Sequence, residues 1–336
     1  MSRGGSMRGR GRGRGWGGVG VMATLVGVLA LAVVLLLPLA REHRESRAVQ
    51  KVADTTQAAA ETCRNPEAQT LRPSTVDGST IAAIKARTGQ ARKLIVGVDQ
   101  NSYRWGYRNP NNKDAALEGF DIDLVHKIAE NILGDPNAVQ FRAIPTNERI
   151  NAIKKGEVDM VVRTMTINCE RIKDVAFSAP YFRTGQQVLA PKDTGITGYD
   201  KSLAGKKVCV ALGSTAKTKL EENNQGATPL VVPNQLDCLV RLQLGEADAI
   251  ITDGALAASQ AAQDPTLKLE GTPFTTEFYG VAMKKDANDL VSRVNQVLAQ
   301  YRSGGWQDSY RTWLSQTMGP NSAPYLPDPP VYLRTS

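Results

Sequence analysis

KLIVGVD (93–99) is followed by GFDIDLVHKIAENILG (119–134), VQFRAIP (139–145), TNERINAIKKGEVD (146–159) and DMVVRTMT (159–166). The first, third and fifth of these segments are short runs rich in β-branched residues and read as strands. The second carries apolar residues at helical spacing, with Asp121 as its N-cap and Gly134 as its stop. The fourth reads as a helix ending in a Lys-Lys-Gly turn. Such strand–helix alternation predicts parallel α/β units. The rhythm then recurs. KKVCVALG (206–213), TPLVVP (228–233), DAIIT (248–252) and YGVAMKKD (279–286) read as strands. STAKTKLEENN (214–224), QLDCLVRLQLG (235–245), DGALAASQAAQ (253–263) and DANDLVSRVNQVLAQYRSGG (286–305) read as helices. Two successive runs of one pattern imply two lobes, in keeping with a chain of 336 residues.

Outward from this region the composition changes. Residues 1–18 hold Arg3, Arg8, Arg10, Arg12 and Arg14 and no acid. The formal charge of +8 falls to +3 once these five are set aside, so the folded part is nearly balanced. That argues against a nucleic-acid footprint, and the Arg-Gly stretch reads as a disordered basic tail. Residues 19–40, VGVMATLVGVLALAVVLLLPLA, carry no charge. About 20 apolar residues suffice to span a bilayer as a helix. Arginines ahead of the span favour a cytoplasmic N-terminus with the remainder outside the cell. A cleaved signal peptide is the rival, weakened by the length of the apolar run and by Pro38-Leu39-Ala40, a poor cleavage site. No cysteine directly follows the span, so a lipoprotein anchor is not available. Residues 41–91 read as a linker with a short helix after Ser79-Thr80, and residues 317–336 as a Pro-rich extended tail.

Four cysteines, Cys63, Cys169, Cys209 and Cys238, contain no C-x-x-C pair, which argues against a zinc site. Beyond an export segment an even count reads as two disulfides, and spacing leaves all three pairings open. Neither a metal nor a cofactor is expected.

Ligands of open α/β sheets sit at the carboxyl ends of strands. There the chain places Asp99, then Thr164, Thr166 and Arg171, then Ser214 and Thr215 at a helix start, then Asp253. A free amino acid needs a carboxylate-binding arginine, an acid for its ammonium and hydroxyl or backbone partners, because desolvated charges must be matched. Each residue alone is more simply a helix cap or a surface charge. Their recurrence at successive strand ends makes the case. Alternation puts Thr164 and Thr166 on one side of a continuing strand and turns Arg163 away from it.

GFDIDL (119–124), TMTINCERIKDVAFSAPYF (164–182), LAGKKVCVALGST (203–215), GEADAIITD (245–253) and YGVAMKKD (279–286) resemble the type II amino-acid-binding proteins of ABC importers, from about Arg92 to Leu314. The run PFTTEFYG (273–280) is similar to the glutamate-type binding proteins of actinobacteria. The resemblance implies a two-lobed periplasmic-binding-protein-like fold, with two parallel-sheet lobes joined by a double hinge behind an N-terminal transmembrane anchor. Lobe 1 would span 92–189 and 277–316 and lobe 2 would span 190–276, with crossings near Gln187–Ala190 and Thr276–Gly280. It implies that Arg171 holds the ligand α-carboxylate, that Thr164 and Thr166 contact ammonium and carboxylate, that Thr215 donates from its helix start and that Asp253 accepts from the ammonium. Disulfides Cys209–Cys238 and Cys63–Cys169 follow from the same resemblance. Arg149 lies where glutamate and aspartate binders place an arginine for the distal carboxylate.

Three positions complicate that picture. Relatives carry an aromatic shelf near position 146, where this chain has Thr146, so Tyr103 or Trp105 is the candidate aromatic. Asp99 occupies the place where basic-ligand binders meet a cationic side chain, although it could instead pair with an arginine and orient it. Arg163 and Lys217 are further candidates for the distal group. The expected role is capture of glutamate, aspartate or their amides and delivery to a membrane permease, at the outer face of the cell membrane. The alternative is a sensor domain signalling to a membrane partner. Only His43 and His126 are present, which argues against Ser-His-Asp chemistry and an enzyme.

Overall fold

The computed structural model describes residues 63–335. The basic tail, the apolar span 19–40 and most of the linker lie outside them, and among the described residues no helix is long and apolar enough to cross a membrane. Of these, residues 65–335 belong to one compact unit.

Fourteen strands are present among the described residues. β1 (Leu94–Val98), β4 (Val139–Ala143), β5 (Met160–Val161), β6 (Val175–Phe177) and β14 (Ala282–Lys284) form the first five-stranded sheet, in the order β4-β1-β5-β14-β6. β8 (Gln186–Pro191), β9 (Lys207–Ala211), β10 (Thr228–Val232), β11 (Ala249–Asp253) and β12 (Leu267–Glu270) form the second, in the order β10-β9-β11-β8-β12. Two ribbons complete the set: β2 (Asn101–Ser102) with β3 (Gly106–Tyr107), and β7 (Phe182–Thr184) with β13 (Glu277–Tyr279). The helices are α1 (Ser79–Lys85), α2 (Phe120–Leu133), α3 (Arg149–Lys154), α4 (Cys169–Asp174), α5 (Thr215–Glu222), α6 (Gln235–Gln243), α7 (Gly254–Gln263), α8 (Asn288–Tyr301), α9 (Gly305–Trp313) and α10 (Ser315–Met318).

Both sheets are mixed, which corrects the expectation of parallel-sheet lobes. β4, β1 and β5 are parallel, but β14 runs against β5 and β6; β10, β9 and β11 are parallel, but β8 runs against both of its neighbours, β11 and β12. Crossing explains the reversal. The chain leaves the first lobe along β7, enters the second on β8, and returns along β13 into β14. The strand that follows each crossing therefore meets its new sheet from the opposite end. The hinge is the antiparallel β7–β13 ribbon, and Gln186–Pro191 already pairs with the second sheet. The first crossing thus precedes the expected 187–190, and residues 186–189 belong to lobe 2. Gly185 sits between ribbon and sheet, where a Cβ would lie 2.0 Å from the Thr275 carbonyl oxygen, so the two crossing strands can approach only through glycine.

Each sheet buries two faces, as strands in α/β folds do. Val208 and Val210 of β9 pack on one side, while Cys209 turns to the other beside Cys238, Leu239 and Leu242 of α6. The Cys209–Cys238 disulfide joins strand to helix across a separation of 29 residues. Cys63 and Cys169 are also disulfide-bonded, and no described cysteine is free. In the first lobe Trp105, Phe120, Phe182, Tyr279 and Trp306 form a fully buried aromatic cluster, and the Trp306 indole donates to the Tyr181 carbonyl at 2.7 Å. The Pro-rich tail is docked: the Arg183 amide donates to the Tyr325 carbonyl at 2.8 Å, and the Tyr325 ring stacks on Phe182.

Asp121 does not cap α2. Gly119 is the N-cap, held at φ +132° where a Cβ would come 2.4 Å from the Trp105 carbonyl oxygen. This leaves the Asp121 carboxylate to bond the Thr164 amide and the Tyr181 hydroxyl. One expectation follows for stability. The loop closed by the Cys209–Cys238 disulfide, with a separation of 29 residues, constrains the unfolded chain by about 3.6 kcal/mol. Cys209→Ser/Cys238→Ser is expected to lower the denaturant midpoint accordingly, and an unchanged midpoint would show that the bond constrains nothing the fold does not already hold.

Candidate functional site

The loop after β5 carries most of the first-lobe chemistry, and its shape departs from the strand expected over 159–166. β5 ends at Val161, and Thr164 adopts a left-handed backbone with φ +41°. That conformation is unfavourable for a β-branched residue. Asp121 holds it: one carboxylate oxygen accepts from the Thr164 amide at 3.0 Å and the other from the Tyr181 hydroxyl at 2.9 Å. Burial pushes this carboxyl up to about 7. The loop then lies along β13, with the Ile167 amide on the Phe278 carbonyl and the Gly280 amide on the Met165 carbonyl.

Because the strand stops early, alternation does not apply and Arg163 lines the cleft rather than pointing away from it. Its guanidinium pairs with Asp99 at 2.8 Å and donates to the Thr146 hydroxyl at 2.9 Å. Its Nε is buried with no protein partner. Asp99 also accepts from the Ser102 hydroxyl and from the amides of Gln100 and Asn101. It therefore orients an arginine and does not line the cleft.

Arg171 is positioned by α4, whose N-cap Asn168 accepts from the Arg171 amide at 2.9 Å. Its guanidinium donates to the Thr166 carbonyl at 2.7 Å and, across the cleft, to the Gly213 carbonyl at 3.0 Å. Arg149 opens α3, is 4% exposed, and donates to the carbonyls of Thr146, Arg163 and Gly213 at 2.9, 3.3 and 3.3 Å. No carboxylate lies within ion-pair distance of it among the described residues. Burial, then the neighbouring Arg171 and Arg163, push its pKa well down; burial also lowers Arg171, against the pull of Glu277.

The second lobe answers with Ser214, Thr215, Gln235 and Asp253. Ser214 caps α5, accepting from the Lys217 amide at 3.1 Å and donating to the Ala211 carbonyl at 2.6 Å. Asp253 ends β11 and accepts from the Tyr279 hydroxyl at 2.6 Å. Burial, and then the charge of Glu277, push its carboxyl up to about 8.

Of the residues expected at the site, Arg149, Thr164, Thr166, Arg171, Ser214, Thr215 and Asp253 line one cleft. Asp99 and Tyr103 do not. Tyr103 faces a small neighbouring cavity with Leu236 and Ser259, under the Arg104 guanidinium, and Trp105 is sealed in the core. Lys217 pairs with Glu221 on its own helix, away from the cleft. Sequence reading held Arg163 as a candidate but turned it away from the cleft, and it missed Glu277 altogether. Glu277 lies in the PFTTEFYG run, but no local pattern says that a crossing strand carries its side chain between two lobes. A larger cavity of about 540 Å3 beside the hinge is lined by Arg183, Pro273, Met318 and Tyr325 and contains no carboxylate to match an ammonium.

Comparison with known proteins agrees with this architecture. Residues 94–316 match the model of the bacterial extracellular solute-binding proteins, family 3. The chain is 35% identical over 238 residues to the ABC transporter glutamine-binding protein GlnH of Bacillus subtilis, covering 70% of this chain and 85% of that one. It is 29% identical over 240 residues to the glutamate-binding protein GluB of Corynebacterium efficiens, covering 68% and 80%. Its fold superposes on the solute receptor for L-cysteine of Neisseria gonorrhoeae with a TM-score of 0.69 at 25% identity, covering 74% of this chain and all of that one. These relatives are binders, in line with the expectation of no enzyme. With its two lobes, mixed sheets and double crossing, the chain belongs to the bacterial extracellular solute-binding proteins, family 3.

Proposed function

We propose that this protein binds an acidic α-amino acid, glutamate or aspartate, between its lobes and hands it to the permease of an ABC importer. In this reading residues 19–40 tether the binding domain to the outer face of the cell membrane. The observation that carries the choice of ligand is Arg149. A buried guanidinium bonded to backbone carbonyls, with no carboxylate beside it, is the group most in need of an anion. A distal ligand carboxylate supplies one, and the unpartnered Nε of Arg163 lies on the same wall. Arg171 would take the α-carboxylate and Asp253 the ammonium, with Thr164, Thr166, Ser214 and Thr215 completing the shell. Asp99 is engaged by Arg163, which removes the main argument for a cationic ligand. Relatives named for glutamine and for glutamate support the ligand class and leave the amides as the nearest competitors.

Calorimetry on the full-length protein, stripped of carried-over ligand, tests this against glutamate, aspartate, glutamine, asparagine, histidine and arginine. Arg171→Ala is expected to abolish all binding. Arg149→Ala is expected to weaken glutamate about ten- to a hundredfold and glutamine far less, as for loss of a hydrogen-bonded charge. Preference for arginine, or an Arg149→Ala loss equal for glutamate and glutamine, would overturn the assignment.

Asp253 gives a pH signature. Its carboxyl, at about 8, is mostly protonated in the free protein at neutral pH. An adjacent ammonium favours the carboxylate, so binding releases that proton. Affinity should therefore rise with pH up to about 8, by at most about tenfold per unit. Titrations near neutrality in buffers of different ionisation enthalpy should report about one proton released per ligand. A count near zero would place the ammonium elsewhere.

Gly213 brings the second lobe onto the first. At φ +75°, a Cβ here would sit 2.8 Å from Asn147 Cα. Gly213→Ala should hold the lobes apart, lowering affinity about tenfold or more and reducing the ligand-induced compaction seen by small-angle scattering, with both lobes still folded. Undiminished affinity would mean that this contact is not part of the bound state.

A further inference from the structure

We propose that Glu277 sets the hydrogen-bond polarity of the cleft, turning the hydroxyls of Thr166 and Thr215 into acceptors aimed at a ligand ammonium. The proposal rests on the amino-acid reading above and adds a positioning residue to it. Glu277 opens β13, the returning hinge strand, and is 6% exposed. One carboxylate oxygen accepts from the Thr166 hydroxyl at 2.5 Å and from the Thr215 hydroxyl at 2.9 Å. The other accepts from the Gln186 amide nitrogen at 2.5 Å and from the Thr275 hydroxyl at 3.4 Å. Each of these partners is a donor.

A hydroxyl has one proton and two acceptor lone pairs, and a carboxylate has no proton to return. With both protons committed to Glu277, the two threonines present lone pairs to the cleft. Lone pairs attract an ammonium and repel a carboxylate. Thr166 and Thr215 thus join Asp253 on the ammonium side, and the ligand carboxylates are left to the arginines. This revises the role suggested for Thr215, which was expected to donate to the ligand from the start of α5. It also explains why an acid sits where no ligand group is expected to reach. Thr166 comes from the first lobe and Thr215 from the second, so one crossing-strand carboxylate sets both walls together.

Glu277→Gln is nearly isosteric and supplies an amide that donates, which lets each hydroxyl turn its proton toward the cleft. The probes are L-glutamate and glutarate, which has the same two carboxylates and no ammonium, titrated into the full-length protein, Glu277→Gln, Thr166→Val/Thr215→Val and the triple variant. Glu277→Gln is expected to weaken glutamate about tenfold or more and to change glutarate less than about threefold. In the double-valine background it is expected to change glutamate less than about twofold, because the hydroxyls through which it acts are gone. Equal weakening of both probes overturns the proposal, and so does an undiminished effect in the double-valine background. If Glu277→Gln fails to fold, Thr215→Val alone decides: loss for glutamate only supports the proposal, and equal loss for glutarate overturns it. A wild-type protein that binds no amino acid at all fails the underlying reading first, which separates that failure from these.

Discussion

Arg149, Arg163 and Arg171 are buried in one narrow cleft, where desolvation penalises each charge and each repels the others. Their different compensation organises the site. Arg163 has Asp99 at 2.8 Å, and Arg171 feels the charge of Glu277. Arg149 has backbone carbonyls alone. Unequal pairing leaves Arg149 as the arginine of the three with backbone partners and no nearby acid of its own. On the second lobe, burial and the charge of Glu277 raise the carboxyl of Asp253.

This arrangement depends on a loop held in an unfavourable shape. Thr164 takes a left-handed conformation, and the Asp121 carboxylate binds its amide while the Tyr181 hydroxyl braces that carboxylate. Strain at a β-branched residue persists only where its surroundings over-determine it. The result turns Arg163 inward beside Thr164 and Thr166, which a regular strand could not do because successive side chains alternate.

The hinge is tied into the chemistry by position. Both crossings run through one two-stranded ribbon, and Glu277 and Tyr279 on it bond to Thr166, Thr215 and Asp253. Residues that connect the lobes thereby also orient groups that line the cleft. The proposed ligand groups and the connection between the lobes therefore share the same few hydrogen bonds.

Alternating strand and helix patterns, the repeat of that pattern, and polar residues at strand ends were legible in the chain itself, because periodicity and capping are local properties. They put forward Arg171, Thr166, Thr215 and Asp253 as candidates that line one cleft, whereas Arg149 was singled out by the resemblance to glutamate and aspartate binders. Asp121 was legible as a residue near a helix start but not as a brace for Thr164, since its partners lie 43 and 60 positions away. Strand direction was not legible either: β8 and β14 become antiparallel only because the chain changes lobes before them. The sequence by itself determined which segments are strands and helices and which charges are available to a site. Only the tertiary structure decided that Asp99 faces Arg163, that Arg149 is left without a counter-charge and that Glu277 reaches both lobes. Those outcomes depend on contacts between distant segments, which a linear pattern does not encode.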